Sequence, residues 1–240
     1  MLFRSTYEFE NIPLAPVEAL ARLKPVRPSP SVLAICQDRV QEKTAMQAAG
    51  IGTARFVPVA AESDIAAATA AIAPGILKTA RMGYDGKGQA RVKTRDDVRA
   101  AWKAMQHVPC VLEQMLPLAY EVSVLAARAA DGSTATWPLA ENVHRDGILF
   151  STTMPSTSVS DDIANRARAA AATITSEMGY VGVLCIEFFV LTDGTLVANE
   201  MAPRPHNSGH ITMDACETSQ FEQQVRAMAR LPLEIGRAHV

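Results

Sequence analysis

The stretch that decides the fold is Gly182-Val-Leu-Cys-Ile-Glu187-Phe-Phe-Val-Leu-Thr-Asp193-Gly194-Thr-Leu-Val-Ala-Asn199-Glu200-Met201. Two apolar runs flank Asp193-Gly194, a dipeptide typical of tight turns between antiparallel strands. A two-residue turn at this dipeptide places Glu187 directly opposite Glu200, with their Cβ atoms about 5 Å apart. Asn199 points to the other face of a regular strand, and only a bulge would bring it to the same side.

Two facing carboxylates in an apolar hairpin repel each other, so they require a cation or a shared proton. Oxygen ligands on a rigid hairpin suit Mg²⁺, with Mn²⁺ as the alternative ion, and substrate phosphates complete such sites. This interpretation predicts Glu187 and Glu200 as metal ligands. A carboxylate pair that shares a proton for acid–base catalysis is a second interpretation. A register slip that sends Glu187 to solvent is a third.

The segment after the hairpin reads Ala202-Pro-Arg204-Pro-His206-Asn207-Ser-Gly-His210. Its prolines restrict the backbone of a stretch that is rich in polar side chains. Arginine, histidine and asparagine in a restrained loop are suited to binding a small anion. A histidine near an asparagine is often only structural, but this density beside the acid pair favours an anion site at Arg204, His206 and Asn207.

A glycine-rich segment lies earlier in the chain, Gly83-Tyr84-Asp85-Gly86-Lys87-Gly88-Gln89. Its backbone N–H groups can lie against an anion, helped by the Lys87 ammonium. It is not a Walker loop, because Arg81 stands where a glycine is required, and it lacks the third glycine of a dinucleotide fingerprint. A surface β-turn is the alternative interpretation. Lys78, at the end of the preceding strand, either reaches a phosphate or extends along the surface to solvent.

Helices and strands alternate along the rest of the chain, which predicts an α+β fold with antiparallel sheets in two lobes. The predicted helices are 31–49, 63–73, 94–107, 160–178 and 219–230. The predicted strands are 55–60, 75–79, 89–93, 110–116, 121–129, 135–142, 180–191 and 195–201. The four prolines within residues 15–30 predict a connection there. Taken alone, Glu113 and Glu121 are expected to be exposed acids at strand ends.

The composition excludes several classes of protein. The 240 residues are 48 % apolar and carry a net charge of −2, which does not favour nucleic-acid binding. No apolar run approaches the roughly 18 residues of a membrane span. The first ten residues include Glu8 and Glu10, where a signal peptide would have its apolar stretch. Four dispersed cysteines indicate free thiols in a reducing compartment. We therefore expect a cytoplasmic protein with neither a nucleic acid nor a membrane as partner.

Four motifs together resemble a known family. They are Thr6-Tyr-Glu-Phe-Glu-Asn11, the glycine-rich segment 83–89, Gly179-Tyr-Val-Gly-Val183 and Asn199-Glu-Met-Ala-Pro-Arg-Pro-His-Asn-Ser-Gly-His210. They resemble the N5-carboxyaminoimidazole ribonucleotide synthases of purine biosynthesis, which are ATP-grasp enzymes. The likeness runs from residue 6 to residue 233, and the last motif is the most specific.

The resemblance implies an ATP-grasp fold and an ATP-dependent ligase. Bicarbonate attacks the γ-phosphate of ATP, and the resulting carboxyphosphate releases CO₂ to the amine of 5-aminoimidazole ribonucleotide. The implied nucleotide contacts are Arg39, Lys78, Gly83, Tyr84, Asp85, Gly86, Lys87, Gly88, Gln89, Glu113, Gln114, Met115, Leu116, Glu121, His144, Asn199 and Glu200. The implied catalytic residues are Lys78, Arg204, His206 and Asn207, and the implied ribonucleotide contacts are Glu8, Tyr84, Asp85 and Arg204.

The resemblance also implies a division of the chain. Residues 1–30 would be a remnant of an N-terminal domain with its linker, and 31–51 a helix packing on the large lobe. Residues 52–117 would form the small lobe with the glycine-rich loop, 118–233 the large lobe with the metal site, and 234–240 a non-native tail. The family has a nucleotide-fold domain before this region and a small domain after it, so truncation at both ends is expected.

Two other functions stay open at this point. One is a Mg-ATP-binding module without catalysis, and the other is an ATP-grasp ligase with an amino-acid or acyl substrate. The resemblance implies a homodimer for the full-length protein.

Overall fold

The computed structural model describes residues 4–83, 87–145 and 147–235, and two antiparallel sheets form its framework. The first sheet has the spatial order β1-β4-β2-β3. Its strands are β1 (Phe56–Val59), β2 (Gly75–Thr79), β3 (Gln89–Val92) and β4 (Cys110–Gln114). Helices α4 (Asp64–Ile72) and α5 (Arg95–Ala104) pack on this sheet. Thr94 caps α5 by accepting a hydrogen bond from the Asp97 N–H, as its position before the helix predicts.

The second sheet has the spatial order β10-β9-β5-β7-β8, and β6 pairs with β5 beside this path. Its strands are β5 (Leu118–Arg128), β6 (Thr134–Thr136), β7 (Ala140–Arg145), β8 (Ile148–Thr153), β9 (Gly182–Leu191) and β10 (Leu196–Ala202). Alternate residues of β9 enter two different cores: Ile186 lies in one, and Cys185 lies in the other. Because both faces of β9 are covered, its sequence is an unbroken apolar run.

Helices cover both faces of the second sheet. Helices α2 (Pro30–Cys36), α3 (Arg39–Ala48) and α6 (Asp161–Glu177) contribute to the core that contains Ile186. Helix α8 (Gln220–Ala229) contacts β9 and is capped by Ser219, which accepts from the Glu222 N–H. A short helix, α7 (Thr212–Ala215), precedes it. Across the described ranges, no helix is long and apolar enough to cross a membrane.

Two predictions for the first fifty residues are wrong. The proline-rich segment contains a helix, α1 (Leu14–Leu23). Pro16 lies in its first turn, where the backbone N–H would have no helical partner in any case. The predicted helix 31–49 is two helices, because Asp38 is extended and its carboxylate accepts from the N–H groups of Val40 and Gln41. This cap starts α3 at Arg39.

Two features between residues 134 and 153 also differ from the predictions. The predicted strand 135–142 is interrupted at Trp137-Pro138-Leu139, between β6 and β7. Pro138 has no N–H to donate to a neighbouring strand. Strand β8 was not predicted, although an Asp-Gly pair at 146–147 precedes it.

Candidate active site

The acid hairpin pairs Glu187 with Glu200, although its turn is not the predicted one. The Leu191 N–H donates to the Thr195 carbonyl, which closes a loop of three residues, so the prediction of a two-residue turn is wrong. Next to the turn the pairing is therefore shifted by one residue. A bulge between Ala198 and Glu200 absorbs the shift and restores the Glu200–Glu187 pair. The bulged residue is Asn199, which lines the same cleft as the two acids.

The two carboxylates have opposite pKa shifts. Burial, followed by the negative charge of Glu200, raises the pKa of Glu187 to about 8. Burial also acts to raise the pKa of Glu200, but the charge and hydrogen bond of Arg39 outweigh it and lower that pKa to about 2. The Arg39 Nη1 atom lies 2.8 Å from Glu200 Oε2. Without a metal, the pair is thus stabilised by Arg39 and by a proton on Glu187.

His206 is a second neighbour of Glu187, with its Nε2 atom 3.4 Å from Glu187 Oε1. Burial, followed by the charge of Arg204, lowers the pKa of His206 to about 4. Its Nδ1 atom lies 2.9 Å from the Ser208 hydroxyl, within a 3-10 turn at Asn207–Gly209. At neutral pH His206 is therefore uncharged.

The side-chain oxygen atoms around the acid pair are suited to binding a divalent cation. Asn199 Oδ1 is buried and accepts no hydrogen bond within the described part of the chain, beside the carboxylates of Glu187 and Glu200. The described residues include no group of three or more His, Cys, Asp or Glu that could hold a metal ion. Mg²⁺ suits such a site, because it commonly binds one or two carboxylates and takes its other ligands from phosphates and water.

A buried charge cluster lies beside this hairpin. Glu113 is 2 % exposed, so the expectation of an exposed acid is wrong for this residue. Its Oε2 atom lies 2.8 Å from Lys78 Nζ, and its Oε1 atom lies 3.3 Å from Lys43 Nζ. Burial opposes the ionised form of Glu113, but Lys78 and then Lys43 outweigh it, so its pKa is lowered. The cluster holds Lys78 at the cleft between the two sheets.

Sequence reasoning missed three buried or half-buried charges. Lys43 is fully buried, and its neighbour Glu42 accepts a hydrogen bond from the Met201 N–H. A signal for both existed, because Arg39, Glu42 and Lys43 share one helical face through their i, i+3, i+4 spacing. Because charged residues on a helix usually face solvent, this spacing did not by itself indicate a buried cluster. The third is Glu10, which forms a two-point ion pair with Arg204.

Glu121 and His144 form a second polar pair. His144 Nδ1 lies 2.8 Å from Glu121 Oε2, and both side chains are half-buried rather than fully exposed. The contact with Glu121 raises the pKa of His144, which favours its charged form. Strands β5 and β7 are paired, which brings the two residues to one edge of the cleft.

Two adjoining clefts meet at the acid pair. The larger has a volume of about 390 Å³, within the range of small-molecule sites, and lies between the two sheets. It brings together every predicted nucleotide contact that the structure describes: Arg39, Lys78, Gly83, Lys87, Gly88, Gln89, Glu113, Gln114, Met115, Leu116, Glu121, His144, Asn199 and Glu200. Tyr84, Asp85 and Gly86 lie outside the described residues. Glu187 and Glu200 also line the smaller cleft.

The smaller cleft has a volume of about 160 Å³ and a polar lining that includes Arg204, His206 and Asn207. Asn207 is exposed at its mouth. Glu8, a ribonucleotide contact that the resemblance implies, is exposed and does not line this cleft, whereas Glu10 lines it and pairs with Arg204. At the other end of the chain, Ile235 packs against a buried cluster, and residues 236–240 lie outside the described ranges.

Comparisons with known proteins place these features in a family. The chain is 49 % identical over 231 residues to the N5-carboxyaminoimidazole ribonucleotide synthase of Brucella melitensis biotype 1, covering 95 % of this chain and 64 % of that protein. The N5-carboxyaminoimidazole ribonucleotide synthetase of Thermus thermophilus has a similar structure, with a TM-score of 0.91 and 39 % identity. That similarity covers 98 % of this chain and 64 % of the Thermus chain.

A third similar structure is the N5-carboxyaminoimidazole synthase of Aspergillus clavatus in complex with ADP and 5-aminoimidazole ribonucleotide. It has a TM-score of 0.88 and 27 % identity, covering 95 % of this chain and 60 % of that one. The chain thus spans less than two thirds of the length of these relatives. The model of the ATP-grasp domain matches residues 44–221, which include both sheets and the acid hairpin. The α+β prediction with two antiparallel sheets is confirmed, and the chain belongs to the ATP-grasp family.

Proposed function

We propose that this chain binds Mg-ATP in the larger cleft and uses it to carboxylate 5-aminoimidazole ribonucleotide with bicarbonate. The observation that carries the proposal is the acid pair at the boundary of two clefts. One cleft has a volume within the range of small-molecule sites, and the other is small, polar and lined by Arg204 and His206. The names of the relatives, and the ligands of the Aspergillus complex, support this choice of reaction.

On this proposal, Lys78 and Arg39 neutralise the phosphates, and residues 113–116 contact the adenine. Glu121 holds the ribose. Glu187, Glu200 and Asn199 Oδ1 would hold Mg²⁺, which would supply positive charge to neutralise the phosphates. These groups position the γ-phosphorus in line with the attacking oxygen, which is the main requirement of phosphoryl transfer.

The chemistry on the smaller side needs an anion site that excludes water. Arg204 and Asn207 hold bicarbonate while one of its oxygens attacks the γ-phosphorus and the β–γ bond breaks, releasing ADP. Carboxyphosphate then splits into phosphate and CO₂, and the exocyclic amine of the ribonucleotide attacks CO₂ and loses a proton. The phosphate released in the same step can take up that proton, while His206, whose Nδ1 accepts from the Ser208 N–H, lines the cleft as an uncharged ring.

The test is ADP release by the purified chain. We expect formation of ADP that requires both bicarbonate and 5-aminoimidazole ribonucleotide, because bicarbonate supplies the attacking oxygen and the amine of the ribonucleotide takes up the CO₂. Carboxylated product measured from ¹³C-bicarbonate should match the ADP in amount. Release of ADP that is indifferent to both compounds would contradict the proposal. Release driven by an amino acid or acyl acceptor would support the other class of ligase.

A second candidate is a nucleotide-binding module without turnover. The observation in its favour is that the chain spans 64 % of the Brucella relative. Calorimetric titration with Mg-ADP separates the two candidates when it is paired with the ADP-release assay on this chain and on the full-length Brucella protein. Binding here with turnover only in the longer protein would support the module.

We predict that binding of the divalent ion depends on pH through Glu187. The metal binds the ionised carboxylate, and the pKa of Glu187 is raised to about 8. Affinity for Mn²⁺ in the presence of ADP should therefore rise about tenfold per unit between pH 6 and pH 8 and then level off. Calorimetry in buffers of different ionisation heats should show about one proton released per ion at pH 7. An affinity that is flat over this range would contradict the prediction.

The proposal includes the location and the assembly of the protein. Four free cysteines, three of them buried, support a reducing compartment such as the cytoplasm. The homodimer stays a prediction for the longer protein, and sedimentation of the Brucella relative would test it.

A further inference from the structure

Strand β10 is an edge strand, yet its outer edge is not left open. It stands at the end of the sheet order, and among the described residues no named strand pairs with its outer edge, where one isolated bridge joins Ala198 to Thr53. The Ala198 N–H donates to the Gly52 carbonyl at 2.8 Å. The Asn199 carbonyl accepts from Lys43 Nζ at 3.0 Å, and the Met201 N–H donates to the Glu42 carboxylate. Side chains of α3 thus replace the missing strand along the bulge.

The geometry of α3 makes this possible. Arg39, Glu42 and Lys43 share one face of α3, the helix that packs against β10. They contact three successive residues of the strand: Arg39 pairs with the Glu200 side chain, and its neighbours bind the backbone on either side of it. A bulge leaves a strand residue without a partner in the ladder, so its backbone groups need partners from elsewhere.

We infer that Lys43 and Glu42 are positioning residues, which hold the bulge at Asn199 and thereby keep Glu200 and Asn199 aimed at the metal site. This inference rests on the proposed function. Neither Lys43 nor Glu42 has to contact the metal ion or the nucleotide to act in this way. Lys43 is fully buried and lines neither cleft, and Glu42 lines only the smaller one.

The same lysine connects the bulge to the phosphate side of the cleft. Lys43 Nζ is shared between the Asn199 carbonyl and Glu113, and Glu113 also holds Lys78. A contiguous chain of polar contacts therefore runs from the metal hairpin of the second sheet to the phosphate lysine of the first. Loss of Lys43 would release the bulge and leave Glu113 with Lys78 alone.

The experiment measures Mn²⁺ binding in the presence of ADP by electron paramagnetic resonance. We expect Lys43→Met to weaken Mn²⁺ binding about 10- to 100-fold, the usual range when a group that orients metal ligands is removed. The bound Mn²⁺ spectrum should also broaden, because the ligand geometry is less fixed. Met46→Ala is the matched control: Met46 is a buried apolar residue of the same helix, so this variant loses stability while the bulge contacts remain.

Two further variants keep the inference testable if Lys43→Met fails to fold. Glu42→Gln retains an oxygen that accepts from the Met201 N–H, whereas Glu42→Leu does not. We expect Glu42→Leu to weaken Mn²⁺ binding far more than Glu42→Gln. Equal losses in the two variants, or an equal effect of Met46→Ala, would overturn the positioning role alone. Failure of the unchanged chain to bind Mn²⁺ with ADP would instead overturn the proposed function and, with it, this role.

Discussion

Replacing Glu187 by glutamine is expected to remove Mg²⁺-supported nucleotide binding while leaving the chain folded. The amide keeps the shape of the protonated acid but cannot supply the negative charge that the ion requires. We expect the Mg²⁺ concentration for half-maximal ADP binding to rise by more than about 100-fold, beyond the effect of removing a group that only orients a ligand. Fluorescence titration with a labelled ADP analogue at fixed Mg²⁺ concentrations measures the effect.

The same substitution has a second signature, in stability. The folded pKa of Glu187 is about 8, above its ordinary value of 4.5, so the metal-free chain loses free energy of unfolding as pH rises between these values. Glu187→Gln removes that dependence, and its melting temperature at pH 7 should be no lower than that of the unchanged chain. Glu177→Gln, at an exposed position, is the control for the charge change. Undiminished Mg²⁺ dependence in Glu187→Gln would refute the metal site.

Replacing Glu113 by leucine is expected to have the largest effect on stability. The substitution leaves the ammonium groups of Lys43 and Lys78 without their shared carboxylate in a buried site. Breaking a buried ion pair in this way costs about 3–5 kcal/mol, because an uncompensated charge stays away from water. Urea denaturation followed by circular dichroism measures the change in the free energy of unfolding.

Two variants bracket this result. Glu62→Gln breaks the exposed ion pair with Arg99 and should cost less than about 1 kcal/mol. Adding Lys43→Met to Glu113→Leu removes one of the two stranded charges and should recover part of the loss. If Glu113→Leu alone lowers the free energy of unfolding by less than about 1 kcal/mol, water reaches the cluster and the Glu113 carboxylate does not fix the position of Lys78.

The parts of the fold that depend on local pattern were predictable from the sequence. Strand β2 and the caps of α5 and α8 lie where the apolar runs and polar starts put them. The Glu187–Glu200 pair was also predicted, but only because two deviations cancel. The turn is one residue longer than predicted, and the bulge leaves one residue of β10 without a partner. Nothing in the local pattern distinguishes that combination from a shorter turn without a bulge.

What the sequence did not reveal depends on contacts between distant segments. Lys43 and Glu113 are 70 positions apart and become partners only when α3 packs beside β4. Each residue alone is typical of an exposed charge, so its burial follows from the tertiary structure. The same holds for Glu10, which lies far from Arg204 along the chain and pairs with it only in the folded structure.

The bulge at Asn199 also determines how densely the hairpin can present oxygen atoms. On a regular strand, residues on the same face are two positions apart, which separates their backbones by about 6.6 Å. Ligands of an ion held at about 2.1 Å lie no more than about 4.2 Å from one another. By turning two adjacent residues, Asn199 and Glu200, toward one side, the irregular strand halves that spacing. Deleting Asn199 would keep the two carboxylates opposite each other but would remove one of the three residues that offer oxygen ligands.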